Sequence, residues 1–236
     1  MKAVFGALSC VLAILVAGNV VKAADAAPAA DNEPVFVTMY VEVTPAATAQ
    51  AAGLLRTYRE AVRKEPGVLR TEIFEEIGTP SRFVSNEVWR TQTDFASHKN
   101  ASANTELFTK LGPIEFGPPD ARVHVLHFSA KTDTAGALPA NGVFVLSHLD
   151  VTPPQLPTLL ELMKPLAENS AKETGVLAYQ ILRQGARGNH FRLFEVWASE
   201  KAWEDHNFAS HTRTFRNGVA PYLGTPYDQR RYTMLK

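Results

Sequence analysis

The chain has 236 residues, with 24 basic residues against 24 acidic ones, 45% apolar residues and one cysteine. That length and apolar share suit one large or two small globular domains and exclude wholesale disorder. A formal net charge of zero argues against nucleic acid or an anionic membrane surface as the main partner, because phosphate binding needs a basic excess.

At the N-terminus, Lys2 gives a short positive start, residues 3–21 carry no charge, and Val21-Lys22-Ala23 offers small residues for cleavage after Ala23. Residues 1–23 therefore read as a signal peptide. Gly6, Ser9, Gly18 and Asn19 dilute the apolar run too far for a membrane anchor. The expectation is an exported chain, in a bacterial periplasm or secreted, and off the membrane once the signal is cut. Cleavage would also remove Cys10, and with it any disulfide, thiolate nucleophile or cysteine-based metal site. Residues 24–34 read as a flexible Ala/Pro leader.

Residues 35–43 alternate apolar side chains at every second position, the period of a half-buried strand. Thr44-Pro45 ends that strand and opens a helix over 46–64, where Leu54, Leu55, Tyr58 and Val62 keep helical spacing. Pro66-Gly67 stops the helix. Strands follow over 68–77 and 82–90, turned by Gly78-Thr79-Pro80. A second, broken helix spans 93–110, and a last strand spans 123–128. Residues 131–141 read as a Gly/Ala/Pro linker.

Shifted by 108 residues, the chain then matches itself. Val35-Phe36-Val37 falls on Val143-Phe144-Val145, Val43-Thr44-Pro45 on Val151-Thr152-Pro153, and Gly67-Val68-Leu69 on Gly175-Val176-Leu177. Glu87-Val88-Trp89 falls on Glu195-Val196-Trp197, His98 on His206, and Ala101-Ser102 on Ala209-Ser210, with no gap from residue 35 to 113. The chain is thus two copies of one module, residues 35–130 and 142–236. Each copy reads β-α-β-β-α-β, the ferredoxin-like α+β order. Two helices cover one face of such a sheet and leave the other bare. The predicted fold class is therefore α+β: two tandem ferredoxin-like modules packed sheet to sheet as an intramolecular α+β barrel, with a lumen between the halves.

Both copies carry F-x-x-x-E-V-W with a His nine residues after the Trp: Phe83, Glu87, Trp89 and His98, then Phe191, Glu195, Trp197 and His206. The second copy adds His211 in the run H-N-F-A-S-H. This pattern resembles the antibiotic biosynthesis monooxygenase domain. The resemblance implies a barrel that single-module relatives build by dimerisation. It implies activities ranging from cofactor-free oxygenation of quinols and polyketide phenols to haem degradation and non-oxygenase roles. The haem-degrading members use an Asn-Trp-His set. Here His98 and His206 stand where that Trp would fall, and Phe108 and Arg216 where that His would, so haem degradation is disfavoured.

Cofactor-free oxygenation makes the substrate supply the electrons. The protein needs a cavity, a base to form the phenolate and donors to steady an oxyanion. His206 and His211 are the candidate bases, with Glu195 as the group that orients them. Five residues on one helix set them about 140° apart, and a break at Ala209-Ser210 would bring them together. Trp197, Tyr179, His148, His98 and Trp89 are candidates for contact with the substrate. Each has a plainer reading as core or as a satisfied buried polar group. Arg192 and Arg183 read first as solvated edge charges, and second as ligands for an anion. No cofactor and no metal are expected, H-x-x-x-x-H alone being a weak ligand spacing. The expected partners are a small aromatic molecule and O2, with room for further homodimerisation. The alternatives are a binding module that holds a small aromatic without chemistry, and a degenerate tandem with a filled barrel. Whether a His lines an apolar cavity of about 300 Å³ or more separates the oxygenase from the binding module, and the filled barrel predicts no such cavity.

Overall fold

The structure is a computed structural model that describes residues 32–130 and 138–236. The expected signal peptide, and most of the expected leader and linker, lie outside the described residues. The first module runs β1 (Val35–Glu42), α1 (Thr48–Val62), β2 (Val68–Glu76), β3 (Arg82–Trp89), α2 (Gln92–His98), α3 (Ser102–Leu111) and β4 (Asp120–Ala130). The second repeats it as β5 (Val143–Asp150), α4 (Leu156–Ser170), β6 (Val176–Gln184), β7 (His190–Trp197), α5 (Glu200–Phe208), α6 (Ser210–Val219) and β8 (Asp228–Met234).

The two sheets are joined along both edges. The strand order β1-β3-β2-β8-β5-β7-β6-β4 closes on itself as an eight-stranded barrel. One seam is long, with β4 antiparallel to β6 from His124↔Gln184 to Ala130↔Tyr179. The other is short, Phe74↔Met234 to Glu76↔Tyr232. Closure removes the sheet edges that a free module would expose. The repeat holds in the register itself. Val35 faces Trp89 in β1–β3, and Val143 faces Trp197 in β5–β7.

Alternation assigns the two faces of each strand. Val35, Val37, Met39 and Val41 pack outward with Ala51, Leu55, Tyr58 and Val62 of α1, which recur every three or four residues along that helix. Val143, Val145 and Leu149 do the same with Leu159, Met163 and Leu166 of α4. The opposite faces point into the barrel, and they fill it. Phe74 stacks on Phe144 with ring centroids 4.4 Å apart and lies 6.2 Å from Phe194. Tyr232, Leu146 and Val84 complete that cluster, and Phe36, Val88 and Leu182 form a smaller one. The expected lumen is therefore occupied by side chains through its middle.

Arg192 corrects the reading of it as an edge charge. It is 0% exposed inside the barrel. Its guanidinium donates to Asn86 Oδ1 at 3.3 Å and sits over the Phe194 ring. Burial pulls its pKa down to about 10. Arg183 is half-buried and donates from Nε to the Gly188 carbonyl at 2.6 Å.

Glycine is required where each first helix returns to its sheet. Gly67 and Gly175 have φ of +84° and +86°, and a Cβ at Gly67 would lie 2.1 Å from the Asp94 side chain. The second helix of each module breaks where the sequence suggested. Ala101 and Ala209 are extended, and their amides bond back to the carbonyls of His98 and His206.

Candidate functional site

The helix break decides what the paired histidines can reach. In the second module the turn at Ala209 swings α6 back against α5, so His206 and His211 face one another with rings 5.9 Å apart. Both bond to a residue that motif reasoning missed, Glu173, on the loop before β6. Glu173 Oε1 lies 2.8 Å from His206 Nδ1 and 2.6 Å from His211 Nε2. The second ring nitrogen of His206 is 3.8 Å from Glu195 Oε2, and that oxygen accepts from Trp197 Nε1–H at 2.9 Å. Trp197 lies against the His206 ring, and Tyr179 meets it edge-on. Five predicted residues thus form one cluster: His206, His211, Glu195, Trp197 and Tyr179. The signal for Glu173 was available, because it is the repeat partner of Glu65.

The first module shows the same frame with more hydrogen bonds to its buried carboxylate. His98 Nδ1 is 2.8 Å from Glu65 Oε2, and its Nε2 is 3.0 Å from the Tyr58 hydroxyl. The carboxylate of Glu87 accepts from the Tyr58 and Ser85 hydroxyls, both at 2.7 Å, and from Trp89 Nε1–H at 2.9 Å. In the second module Leu166 and Leu193 occupy the positions of Tyr58 and Ser85. Glu195 therefore loses two hydroxyl donors that Glu87 keeps. Burial pushes its pKa up, as expected for a carboxylate with few donors. Ala103 stands where His211 would be.

Both clusters lie between sheet and helices, on the outer face of the barrel. Trp89, His98, Trp197 and Tyr179 therefore line no lumen. His148 is separated from them, since it points into the barrel from β5. There it meets Tyr40, its own repeat partner, with Tyr40 Oη 2.5 Å from His148 Nε2. The two equivalent positions touch on the pseudo-twofold axis that relates the modules. Arg122 Nη1 is 3.3 Å from His148 Nδ1. A guanidinium only donates, so Nδ1 accepts, and the neutral ring donates Nε2–H to the Tyr40 oxygen. Burial and the nearby Arg122 and Arg192 hold the His148 pKa down to about 3. Burial likewise holds His124 well below its ordinary value.

His148 and His124 form part of the floor of a cleft of about 850 Å³ at one end of the barrel. Its walls include Arg122, Arg187, His190, Phe191, Tyr227, Asp120, Asp150 and Asp228. Apart from Phe191, the Phe of the second motif, none of these was singled out from the sequence, because they come from strand ends and loops that meet only in the folded sheet. His190 Nδ1 is 3.8 Å from Asp150 Oδ2, and the Thr225 hydroxyl donates to the same oxygen at 3.2 Å. Burial outweighs the attraction of Asp150 and lowers the His190 pKa, so the ring is neutral near pH 7.

The repeat places a second cleft in the first half, of only about 190 Å³. Arg82 bridges Glu42 at 3.1 Å and approaches Glu76 at 3.9 Å, and Arg230 stands 3.6 Å from Glu76 on its other side. Phe116 lines that cleft as well. The matching residues of the second half are His190, Asp150, Gln184 and Gly224. They are shorter or uncharged, so the cleft of the second half opens where that of the first half is filled by ion pairs.

The sequence profile described as antibiotic biosynthesis monooxygenase matches residues 34–108 and 142–218. Among solved structures, a candidate monooxygenase of Fusobacterium nucleatum is similar over 86% of this chain and 93% of its own, with a TM-score of 0.74 and 16% identity. An anthrone oxidase-like protein is similar over 86% and 92%, with a TM-score of 0.68 and 14% identity. A major regulator of staphylococcal pathogenesis is similar over 86% and 99%, with a TM-score of 0.57 and 13% identity. At such identities the likeness is one of fold. No curated protein matches the chain. With its profile matched twice over more than half the sequence, the chain belongs to the antibiotic biosynthesis monooxygenase family.

Proposed function

We propose that this member of the family is an exported, cofactor-independent monooxygenase that oxidises a quinol or phenolic aromatic with O2 in the barrel-end cleft of its second half. One observation carries the reading. A neutral imidazole, His190, backed by Asp150, shares a cleft of about 850 Å³ with two guanidiniums, Arg122 and Arg187, and two aromatic side chains, Phe191 and Tyr227. A phenol seated there has an acceptor for its proton and cations for the resulting oxyanion. The phenolate then passes electrons to O2. One oxygen atom enters the ring and the other leaves as water, all four electrons coming from the substrate. Arg122 already holds Asp120 at 2.6 Å, which fixes its guanidinium beside His148.

The cleft does not include His206, His211 or Glu195. From His190 to Trp197 the strand runs seven residues, about 23 Å, so that cluster lies at the other end of β7 and on its outer face. In this reading the proton acceptor is His190. The second reading keeps the chemistry at His206, His211 and Glu195, and the loss of two donors around Glu195 favours it.

Oxygen uptake separates the two. The purified protein is offered a panel of hydroquinones and naphthols, with autoxidation subtracted. Saturable uptake that survives His211→Ala and is lost in His190→Gln supports the cleft. The reverse pattern supports the helix-side cluster. No uptake from folded protein across the panel would reject oxygenation and leave a binding module, to be pursued through ligand-induced melting shifts.

A further inference from the structure

We propose that Glu173, His206 and His211 form a binding site for one divalent first-row cation of the zinc class. Their ligand atoms, one from each residue, all lie within 4.8 Å of one another. Two imidazole nitrogens and one carboxylate oxygen are a donor set suited to such ions rather than to magnesium or calcium. Both rings address a single oxygen, Glu173 Oε1, at 2.8 and 2.6 Å. Two nitrogens directed at one point from two helices are the arrangement that a cation at that point would use. Zinc–ligand bonds of about 2.0–2.1 Å in tetrahedral geometry need ligand atoms about 3.3 Å apart. Glu173 would therefore retreat slightly while the two rings close in, with water as the fourth ligand.

The surroundings suit a metal as well. His206 is buried, while His211 and Glu173 keep 19% and 17% of their side chains exposed, which gives an ion a way in. Behind His206 stands the Glu195 carboxylate, 3.8 Å from the ring nitrogen that faces away from Glu173. A carboxylate behind a ligating imidazole is the usual outer-shell partner of a metal histidine. The first module supplies an internal control. Glu65 and His98 keep the pair at 2.8 Å, but Ala103 takes the place of His211, so that half has two ligands and should hold no ion. The site would fasten the loop before β6 to both α5 and α6. It stands on the outer face of the barrel, away from the cleft, and does not depend on the oxygenase reading.

The test titrates zinc into the chelator-stripped full-length protein against a chromophoric competitor, with elemental analysis of the dialysed complex. The expected result is one equivalent of zinc, a rise in melting temperature on loading, and a loss of affinity of about a hundredfold or more in His211→Ala. That variant removes a partly exposed side chain, and its circular dichroism checks that it folds. Ala103→His, which completes the triad in the first module, should raise the stoichiometry to two. Wild-type protein that binds no zinc at micromolar concentration would overturn the proposal. So would His211→Ala binding with unchanged affinity, which would place the ion elsewhere. A folded Ala103→His protein that stays at one equivalent would overturn the claim that these three groups suffice.

Discussion

His148 makes the barrel acid-labile. Its ring is held neutral down to about pH 3 against an ordinary value of 6.5. Below pH 6.5 the unfolded chain takes up a proton at this ring that the folded chain refuses until about pH 3. Stability therefore falls as pH falls through that window, at about 1.4 kcal/mol per pH unit. Integrated from pH 7 to 4.5, one such ring withdraws about 2.5 kcal/mol, a large part of a typical folding free energy. His148→Gln removes the titration and keeps an amide N–H near the position of the Nε2–H that meets Tyr40. Chemical denaturation of both proteins at several pH values across this range isolates the effect, because His124 and His190 remain in both. The stability curves should converge on acidification, the variant having lost about 2.5 kcal/mol less by pH 4.5. Parallel curves would mean that the ring is not buried beside Arg122 and Arg192 as described, and would remove His148 from the floor of the cleft.

Three further outcomes follow from the packing. Tyr58→Phe removes one of the three donors to the buried Glu87 carboxylate, and thermal or urea unfolding should register about 1.5–3 kcal/mol of lost stability. A loss below about 0.5 kcal/mol would mean that the network around His98 is not structural. Phe74→Ala empties the centre of the barrel, where Phe74 is 0% exposed between Phe144 and Phe194. It should cost about 3–5 kcal/mol by the same measurement, and a near-neutral result would contradict a filled lumen. Arg82→His combined with Phe116→Gly installs second-half residues in the first-half cleft. Equilibrium dialysis with a naphthol that binds wild type once should then count two sites, and an unchanged count would show that ion pairs do not close that cleft.

The barrel was legible because the repeat was. A 108-residue shift that keeps Glu87-Val88-Trp89 on Glu195-Val196-Trp197 also keeps the register of β1–β3 on β5–β7. The break at Ala209-Ser210 was legible too, since two histidines five apart share a site only if the helix turns between them. The lumen was misread, because alternation names two faces of a strand but not the one the helices cover. In β1 both faces are buried, so no polar side marks the outside. Arg192 was misplaced for a related reason, as charge argues for the surface unless a strand has no surface to offer. The cleft was invisible for a third reason. His190, Asp150 and Asp228 lie far apart in sequence and meet only through the β5–β7 and β5–β8 pairs, and Arg122 joins them through the β4–β6 seam.

Fusion of the two modules explains why their sites differ. A symmetric dimer places the same residue twice on its axis, because an isologous interface repeats every contact. On this chain's pseudo-axis Tyr40 meets His148 instead. A phenol and an imidazole there let a single polarised hydrogen bond cross the barrel, with Arg122 fixing its direction from one side. A second Tyr or a second His would leave the two halves equivalent. Once that equivalence is lost, each half can change without imposing the same change on the other. The first half keeps Tyr58, Ser85 and the Arg82 ion pairs, which satisfy its buried carboxylate and fill its cleft. The second has Leu166, Leu193 and His190 at those positions, and His211 where the first has Ala103. Every one of those differences leaves the second half with a polar contact fewer or a ligand atom more than the first. The hydroxyl donors to the buried carboxylate and the ion pairs in the cleft thus stand in the first module, and the open cleft and the Glu173–His206–His211 cluster in the second, a division that a homodimer of either module could not make.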